Sequence, residues 1–196
     1  MNDNCPTLQN SESPINKKKK GIIGFAVWAV ITLVLALSAF FFANNYIVRW
    51  PIKGPSMEPT IHSGDSVLLF RTQNVDYGDV IVFYSDPLDK YLIKRVIGKA
   101  DDVIKTEYSE ADGCFHIYRN GEKLDETYLP EPMSSDAYAN KTVTVPKNCF
   151  YVLGDNRNVS YDSHNNIFAS KDQIQGIAFI RFNEDNNFEI IKSHGK

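Results

Sequence analysis

The 196-residue chain is poor in the residues that build metal and redox centres. Its three cysteines, Cys5, Cys114 and Cys149, lie too far apart for a metal knuckle or a redox dithiol. The spacing leaves a Cys114–Cys149 disulfide open without demanding one. The four histidines, His62, His116, His164 and His194, form no HExxH or Cys–His pattern, so no metal is expected. Walker and Rossmann glycine patterns are missing, and no cofactor is expected either. The net charge is −3 with no dominant basic patch, which argues against nucleic acid as a partner. Internal repeats are absent, and beyond Trp50 helical periodicity is scarce.

What is present begins with an asymmetric N-terminus. Residues 1–16 are polar, carry Pro6 and Pro14, and cannot build a core, so they read as disordered. Lys17 to Lys20 follow, and from Ile22 to Ala43 no residue is charged. As a helix this run reaches about 33 Å, a typical hydrocarbon thickness. It is about twice the length of a signal-peptide core and ends without a small-x-small site, so it reads as an uncleaved anchor. Four lysines before it face Arg49 beyond it, which places the N-terminus in the cytoplasm and residues 44–196 outside. Tyr46 and Trp50 suit the interfacial belt. The expected organisation is a cytoplasmic basic tail at 1–20, a transmembrane helix at 21–43 and an extracytoplasmic domain at 44–196. About 146 residues beyond Trp50 suffice for a hydrophobic core.

That domain reads as mostly β: an antiparallel sheet with a small inserted β subdomain, preceded by the one transmembrane helix. Short apolar runs alternate with turn residues, at Ser66–Phe70, Val80–Tyr84, Tyr91–Ile97, Cys114–Arg119, Glu122–Leu124, Thr142–Val145, Phe150–Leu153, Ile174–Arg181 and Asn187–Ile191. Asn120-Gly121 is the strongest hairpin signal, because both residues tolerate the positive φ of a type I′ turn. Short helices are expected at Pro59–His62 and at Ser170–Gln173, the latter with a capping-box pattern. The acidic, irregular stretch 106–141 reads as the insertion.

Three segments carry chemistry. Ser56 sits in Lys53-Gly-Pro-Ser-Met-Glu-Pro-Thr60, where Gly54 permits unusual backbone angles and Pro55 fixes its own. Such a turn can expose the hydroxyl beside a backbone N–H, as a nucleophile and an oxyanion donor require. A serine needs a base, and no Gly-x-Ser-x-Gly elbow supplies a hydrolase context. The best candidate is Lys94 in Tyr91-Leu-Ile-Lys-Arg-Val-Ile97, emerging among apolar neighbours that favour its neutral amine. Strand period alone leaves Lys94 and Arg95 equally readable as two solvated charges. The third segment, Gly154-Asp-Asn-Arg-Asn-Val-Ser-Tyr-Asp-Ser163, is dense in hydrogen-bonding groups. There Ser160 is read as holding the amine of Lys94 and Asp162 as organising the loop, with Asp155 and Gly54 as further supporting residues.

Taken together in this order, the basic tail, anchor, serine box, lysine strand and Gly154-Asp-Asn-Arg157 box resemble bacterial signal peptidase I, a Ser–Lys serine protease family. Ser63-Gly-Asp65 with Val67-Leu68, Gly78-Asp-Val-Ile-Val-Phe83 and Lys94-Arg-Val-Ile-Gly98 belong to the same resemblance, which runs from the anchor to about Phe182. It implies that Ser56 attacks the scissile carbonyl and Lys94 takes its proton. It further implies removal of signal peptides from exported preproteins, with small residues at the first and third positions before the cut. By family position, Trp50, Ile52, Met57, Val82 and Ile93 line the substrate pockets. The implied partners are signal peptides, the lipid bilayer and a nearby secretion translocon. Lys94 points to the bacterial type, since endoplasmic-reticulum and archaeal relatives use histidine there.

The chain departs from the pattern at four places. Gly54 stands where some members place a serine. Asp101 must take a glycine's place in the turn Lys99–Asp102. His164 replaces an arginine and is expected to make the loop pH-sensitive, which an unchanged pH–rate profile in His164→Arg would refute. Ile167 replaces a glycine. The rival readings are another Ser–Lys protease of the self-cleaving repressor kind and a non-catalytic membrane-tethered β domain that binds envelope peptides or proteins.

Overall fold

The computed structural model describes residues 14–134, 138–139 and 141–194. The polar stretch 1–13, with Cys5, lies outside the described residues. The chain divides after Asn44 into two units. The first is dominated by helix α1 (Pro14–Tyr46), which starts earlier and ends later than the apolar run, because lysine and its neighbours continue a helix readily. Within it, Gly24–Tyr46 contains an 18-residue window with a mean hydropathy of 2.5 and is long and apolar enough to cross a membrane.

The second unit is mostly antiparallel β. Its strands are β1 (Ile47–Pro51), β2 (Ser66–Phe70), β3 (Val80–Ser85), β4 (Lys90–Gly98), β5 (Val103–Ser109), β6 (Cys114–Arg119), β7 (Glu122–Lys123), β8 (Thr142–Thr144), β9 (Cys149–Leu153), β10 (Ala169–Ser170), β11 (Ile174–Phe182) and β12 (Phe188–Ile190). Among the described residues, eight of them form one sheet in the order β1-β2-β11-β3-β4-β9-β10, with β12 also paired to β11. A second sheet has the order β7-β6-β5-β8 and occupies Val103 to Thr144.

Pattern explains position. The unbroken apolar run Val80–Phe83 is buried on both faces and sits centrally, between β11 and β4. Val80 and Val82 join one cluster with Ile52, Met57, Ile61, Val67, Leu69 and Ile93. Ile81 and Phe83 join the opposite one with Val96, Phe150, Val152 and Ile167. A third cluster joins the sheets, with Ile97, Tyr151 and Leu153 meeting Ile104, Phe115 and Ile117. Asn120 and Gly121 both take positive φ, 54° and 87°, in the tight turn between β6 and β7.

Some local expectations give way. Residues 55–61 form turns rather than a helix, with one bond from Ile61 N to Met57 O at 2.9 Å. The Ser170 stretch becomes a three-residue 3₁₀ turn, Lys171–Gln173, without a side-chain cap, because Gln173 bonds Asp86 instead. Trp50 lies in β1, opposite Val67. Cys114 and Cys149 are both free.

Candidate active site

Ser56 stands in the turn between β1 and β2. Gly54, at φ 95°, adopts a backbone conformation open to glycine, and its N–H donates to Ser63 Oγ at 3.1 Å. From sequence Ser63 was named only within the Ser63-Gly-Asp65 box and given no role beside Ser56. Past the serine, Met57 and Ile61 are fully buried and anchor the turn in the core. Arg181 from β11 donates to Thr60 O at 2.9 Å and lies 3.5 Å from the buried Asp65 carboxylate, tying down the exit.

Lys94 approaches from β4. Its Nζ lies 2.6 Å from Ser56 Oγ and donates to Ile93 O at 2.9 Å. The side chain is almost wholly buried, at 2% exposure. Burial pushes the ammonium from its ordinary value of 10.5 down to about 8, while the carboxylates of Asp162 and Asp155 pull the other way. Such an amine is partly neutral near pH 7 and within hydrogen-bond reach of a hydroxyl, the geometry of a general base beside a nucleophile.

Arg95, the next residue, is also fully buried rather than solvated. It holds Asp155 in a two-point ion pair, Nε to Oδ1 at 2.8 Å and Nη2 to Oδ2 at 2.6 Å. Asp155 Oδ2 also accepts from Thr60 Oγ1 at 2.5 Å. One carboxylate therefore links the serine box, the lysine strand and the Gly154 loop.

The loop closes on Ser56 through Gly154. A Cβ there would lie 2.3 Å from Ser56 O and 2.3 Å from Ser160 Oγ, so only glycine fits. Asn156 N donates to Ser56 O at 3.1 Å. Ser160 differs from expectation in its bond: the hydroxyl donates to Asp162 rather than holding the amine of Lys94. Asp162 also accepts from Gly154 N at 2.9 Å and pairs with His164 Nδ1 at 2.7 Å. Burial alone would raise the Asp162 carboxyl, but the bonds from His164, Ser160 and Gly154 outweigh it and hold the group below the usual carboxylate range. At the turn after β4, Asp101 takes the left-handed place at φ 70°. Ile167 is buried against Ile81 and Val152.

Beside Ser56 and Lys94 lies a cavity of about 190 Å³, lined among others by Trp50, Ile52, Val82, Tyr91 and Ile93. The Trp50 and Tyr91 rings meet edge to face at 4.9 Å and form one wall. Met57 lies in the core beneath instead of on the lining. Tyr91 and Leu92 also line the cavity and were not among the residues assigned to it from sequence.

The family profile described as "Signal peptidase, peptidase S26" matches residues 23–183. The chain belongs to this family. The signal peptidase I S of Bacillus subtilis is 34% identical over 183 residues, covering 85% of this chain and 94% of that one. Signal peptidase IB of Staphylococcus aureus is 34% identical over 173 residues, covering 78% of this chain and 87% of that one. A crystal structure of a signal peptidase I from Enterococcus faecalis aligns with a TM-score of 0.44 at 26% identity, over 53% of this chain and 96% of that one. As a member of the signal peptidase family, the protein is a serine peptidase, a hydrolase, and its apolar N-terminal helix accords with the membrane anchoring of that family.

Proposed function

We propose that this signal peptidase removes N-terminal signal peptides from exported preproteins by Ser–Lys chemistry outside the cell membrane. The carrying observation is the 2.6 Å contact between Ser56 Oγ and a buried Lys94 whose amine titrates near pH 8. Ser56 Oγ attacks the scissile carbonyl carbon as neutral Lys94 Nζ takes its proton. The oxyanion is received by the Ser56 backbone N–H. The Lys94 ammonium then protonates the departing amine, the C–N bond breaks, and the mature protein leaves an ester on Ser56. Lys94, neutral again, takes a proton from water as the water oxygen attacks the ester; the ammonium then returns that proton to Ser56 Oγ as the C–O bond breaks, and the signal peptide leaves as a carboxylic acid that ionises in water. Gly54, Asp155, Ser160 and Asp162 hold the two reacting groups in register.

The confined cavity beside Ser56 supports cutting after small residues at the first and third positions before the scissile bond, because its aromatic and branched walls exclude bulk. The lysines before α1 support an N-terminus in the cytoplasm and residues 44–196 outside, near the translocon from which preproteins emerge. The domain limits 1–20, 21–43 and 44–196, with an insertion at 106–141, form part of the same proposal.

The test is cleavage of a preprotein carrying alanine at both positions by detergent-solubilised enzyme, with product termini read by mass spectrometry. A single cut after the second alanine, lost in Ser56→Ala and Lys94→Ala, is the expected result. No cut by folded, lipid-reconstituted wild-type enzyme would favour a non-catalytic tethered domain.

A further inference from the structure

Arg157 is buried, at 2% exposure, in the loop that closes on the nucleophile. A guanidinium cannot shed its charge there, so it needs partners. Its Nε donates to Gly154 O at 2.9 Å. The rest of the fork faces residues that follow β7 in the stretch joining it to β8. Nη2 donates to Glu126 Oε1 at 2.5 Å and to Tyr128 Oη at 3.0 Å, and Nη1 donates to Glu126 Oε2 at 3.1 Å. Among the described residues, Glu126 is the carboxylate paired with Arg157. The Tyr128 ring also lies 4.6 Å from the Arg95 guanidinium.

These contacts form a chain to the reacting hydroxyl. Glu126 fixes Arg157, Arg157 fixes the Gly154 carbonyl, and Gly154 packs so closely on the Ser56 carbonyl that a methyl group would collide with it. Asn156, inside the same loop, bonds that Ser56 carbonyl. Nothing in the local pattern of residues 122–131 marks them as part of an active site.

We infer that Glu126 is a positioning residue of the peptidase: held in the stretch that follows β7, it sets the Gly154 loop through Arg157 and thereby the placement of Ser56 Oγ against Lys94. The inference rests on the Ser–Lys reading above. Without the Glu126 carboxylate, Arg157 seeks water, the Gly154 carbonyl is released, and Ser56 loses its fixed distance from Lys94. A misplacement of about 1 Å at a reacting centre costs about a hundredfold in rate. Glu126 touches neither Ser56 nor Lys94, so the effect falls on reaction at bound substrate rather than on binding.

The experiment is active-site titration of the full-length, detergent-solubilised chain with a penem that acylates Ser56, followed by mass spectrometry. The amplitude counts competent sites and the rate constant reports how well each is placed. Glu126→Gln is expected to acylate about ten- to a hundredfold more slowly at unchanged amplitude, with preprotein kcat lowered alike and KM within about twofold. Arg157→Gln should show the same loss, and the double variant should be no slower than Arg157→Gln alone. An unchanged rate constant in Glu126→Gln, with or without a lower amplitude, overturns the inference, because a merely structural role removes sites without slowing the remaining ones. So does a double variant whose loss is the product of the two single losses. A wild-type enzyme that is not acylated overturns the Ser–Lys reading as well, which separates the two failures.

Discussion

A lysine kept out of water destabilises the fold that keeps it there, and the cost is measurable. Lys94 titrates near 8 in the folded protein against 10.5 ordinarily. The folded state therefore holds this proton more weakly than the unfolded one. Between about pH 8 and pH 10.5 the unfolded chain binds more protons, so stability rises with pH through that window. Below about pH 8 the whole penalty is present, about 3 kcal/mol at 1.36 kcal/mol per pH unit. Lys94→Met keeps the length and apolar stem of the side chain and removes the charge. It forfeits the bonds to Ile93 O and Ser56 Oγ, which together offset about 2 kcal/mol. The variant should therefore be inactive yet more stable than wild type by about 1 kcal/mol at pH 7. At this chain length that is a rise in Tm of about 2–4 °C.

The assay is thermal unfolding of both solubilised proteins from pH 6.5 to pH 10. Other titrating groups are common to the pair, so the difference isolates Lys94. The advantage of Lys94→Met should be constant below about pH 7.5 and vanish or reverse by pH 10, where less than about 1 kcal/mol of the penalty remains. A variant less stable than wild type at pH 7, or a difference independent of pH, would refute the desolvated-base reasoning.

The same amine sets the rate profile: kcat/KM should rise about tenfold per pH unit below pH 8 and level off above it, and a flat profile between pH 6 and 8 would remove Lys94 as the base. Gly154→Ala should fold with a loss of about 1–3 kcal/mol but cut preprotein at least about tenfold more slowly, since its Cβ must displace Ser56 O or Ser160 Oγ; near-normal cleavage would show that the loop does not set the serine. Asp155→Asn leaves Arg95 buried without its carboxylate and should cost about 3–5 kcal/mol, lowering Tm by at least about 6 °C in the same thermal assay.

Much of the sheet was legible because its strands alternate or run apolar between turn residues. The expected ranges for β2 and β6 coincide with the structure, β3, β9 and β11 differ by one residue at one end, and β4 by one residue at each end. β1 was missed because Ile47–Pro51 directly follows the apolar helix, and its Arg49 and Trp50 were read as the flank of the span. β5 was missed because Lys105, Glu107 and Ser109 give it a polar composition, although Ile104 and Thr106 are buried in alternation. At the site, Ser56 and Lys94 were recoverable from their boxes. The partners of the buried groups were not. Asp155 is 60 residues from Arg95, and Glu126 is 31 from Arg157. Such pairings are decided by which strands become neighbours, and no local period encodes them. Ser160 was placed in the correct loop, but its hydroxyl donates to Asp162, two residues on, a pairing that the local pattern did not single out.

The adjacent cations of β4 show how one strand supports two opposite outcomes. Arg95 and Lys94 are both buried, at 0% and 2% exposure. Arg95 cannot be deprotonated in a protein, so its burial is tolerable only with a full counter-charge, and Asp155 supplies one with two hydrogen bonds. Lys94 receives no such partner: among the described residues no carboxylate lies within ion-pair distance of Nζ, which meets a hydroxyl and a carbonyl instead. Asp162 and Asp155 act on it only from farther off. Its cheapest escape from burial is to lose a proton, which is what a general base must do. The division of labour depends on where the carboxylates point. Asp162 is occupied by Gly154, Ser160 and His164, and Asp155 by Arg95 and Thr60. Each of those bonds restrains a carboxylate from turning to Lys94. A carboxylate freed from its partners could swing to Nζ and pair with the ammonium. The base would then stay protonated at neutral pH while the Ser56–Lys94 distance scarcely changed. Ser160→Ala or His164→Ala should therefore move the acid limb of the rate profile to higher pH, not merely lower the plateau. A plateau that falls with the limb unmoved would mean that these bonds shape the loop alone.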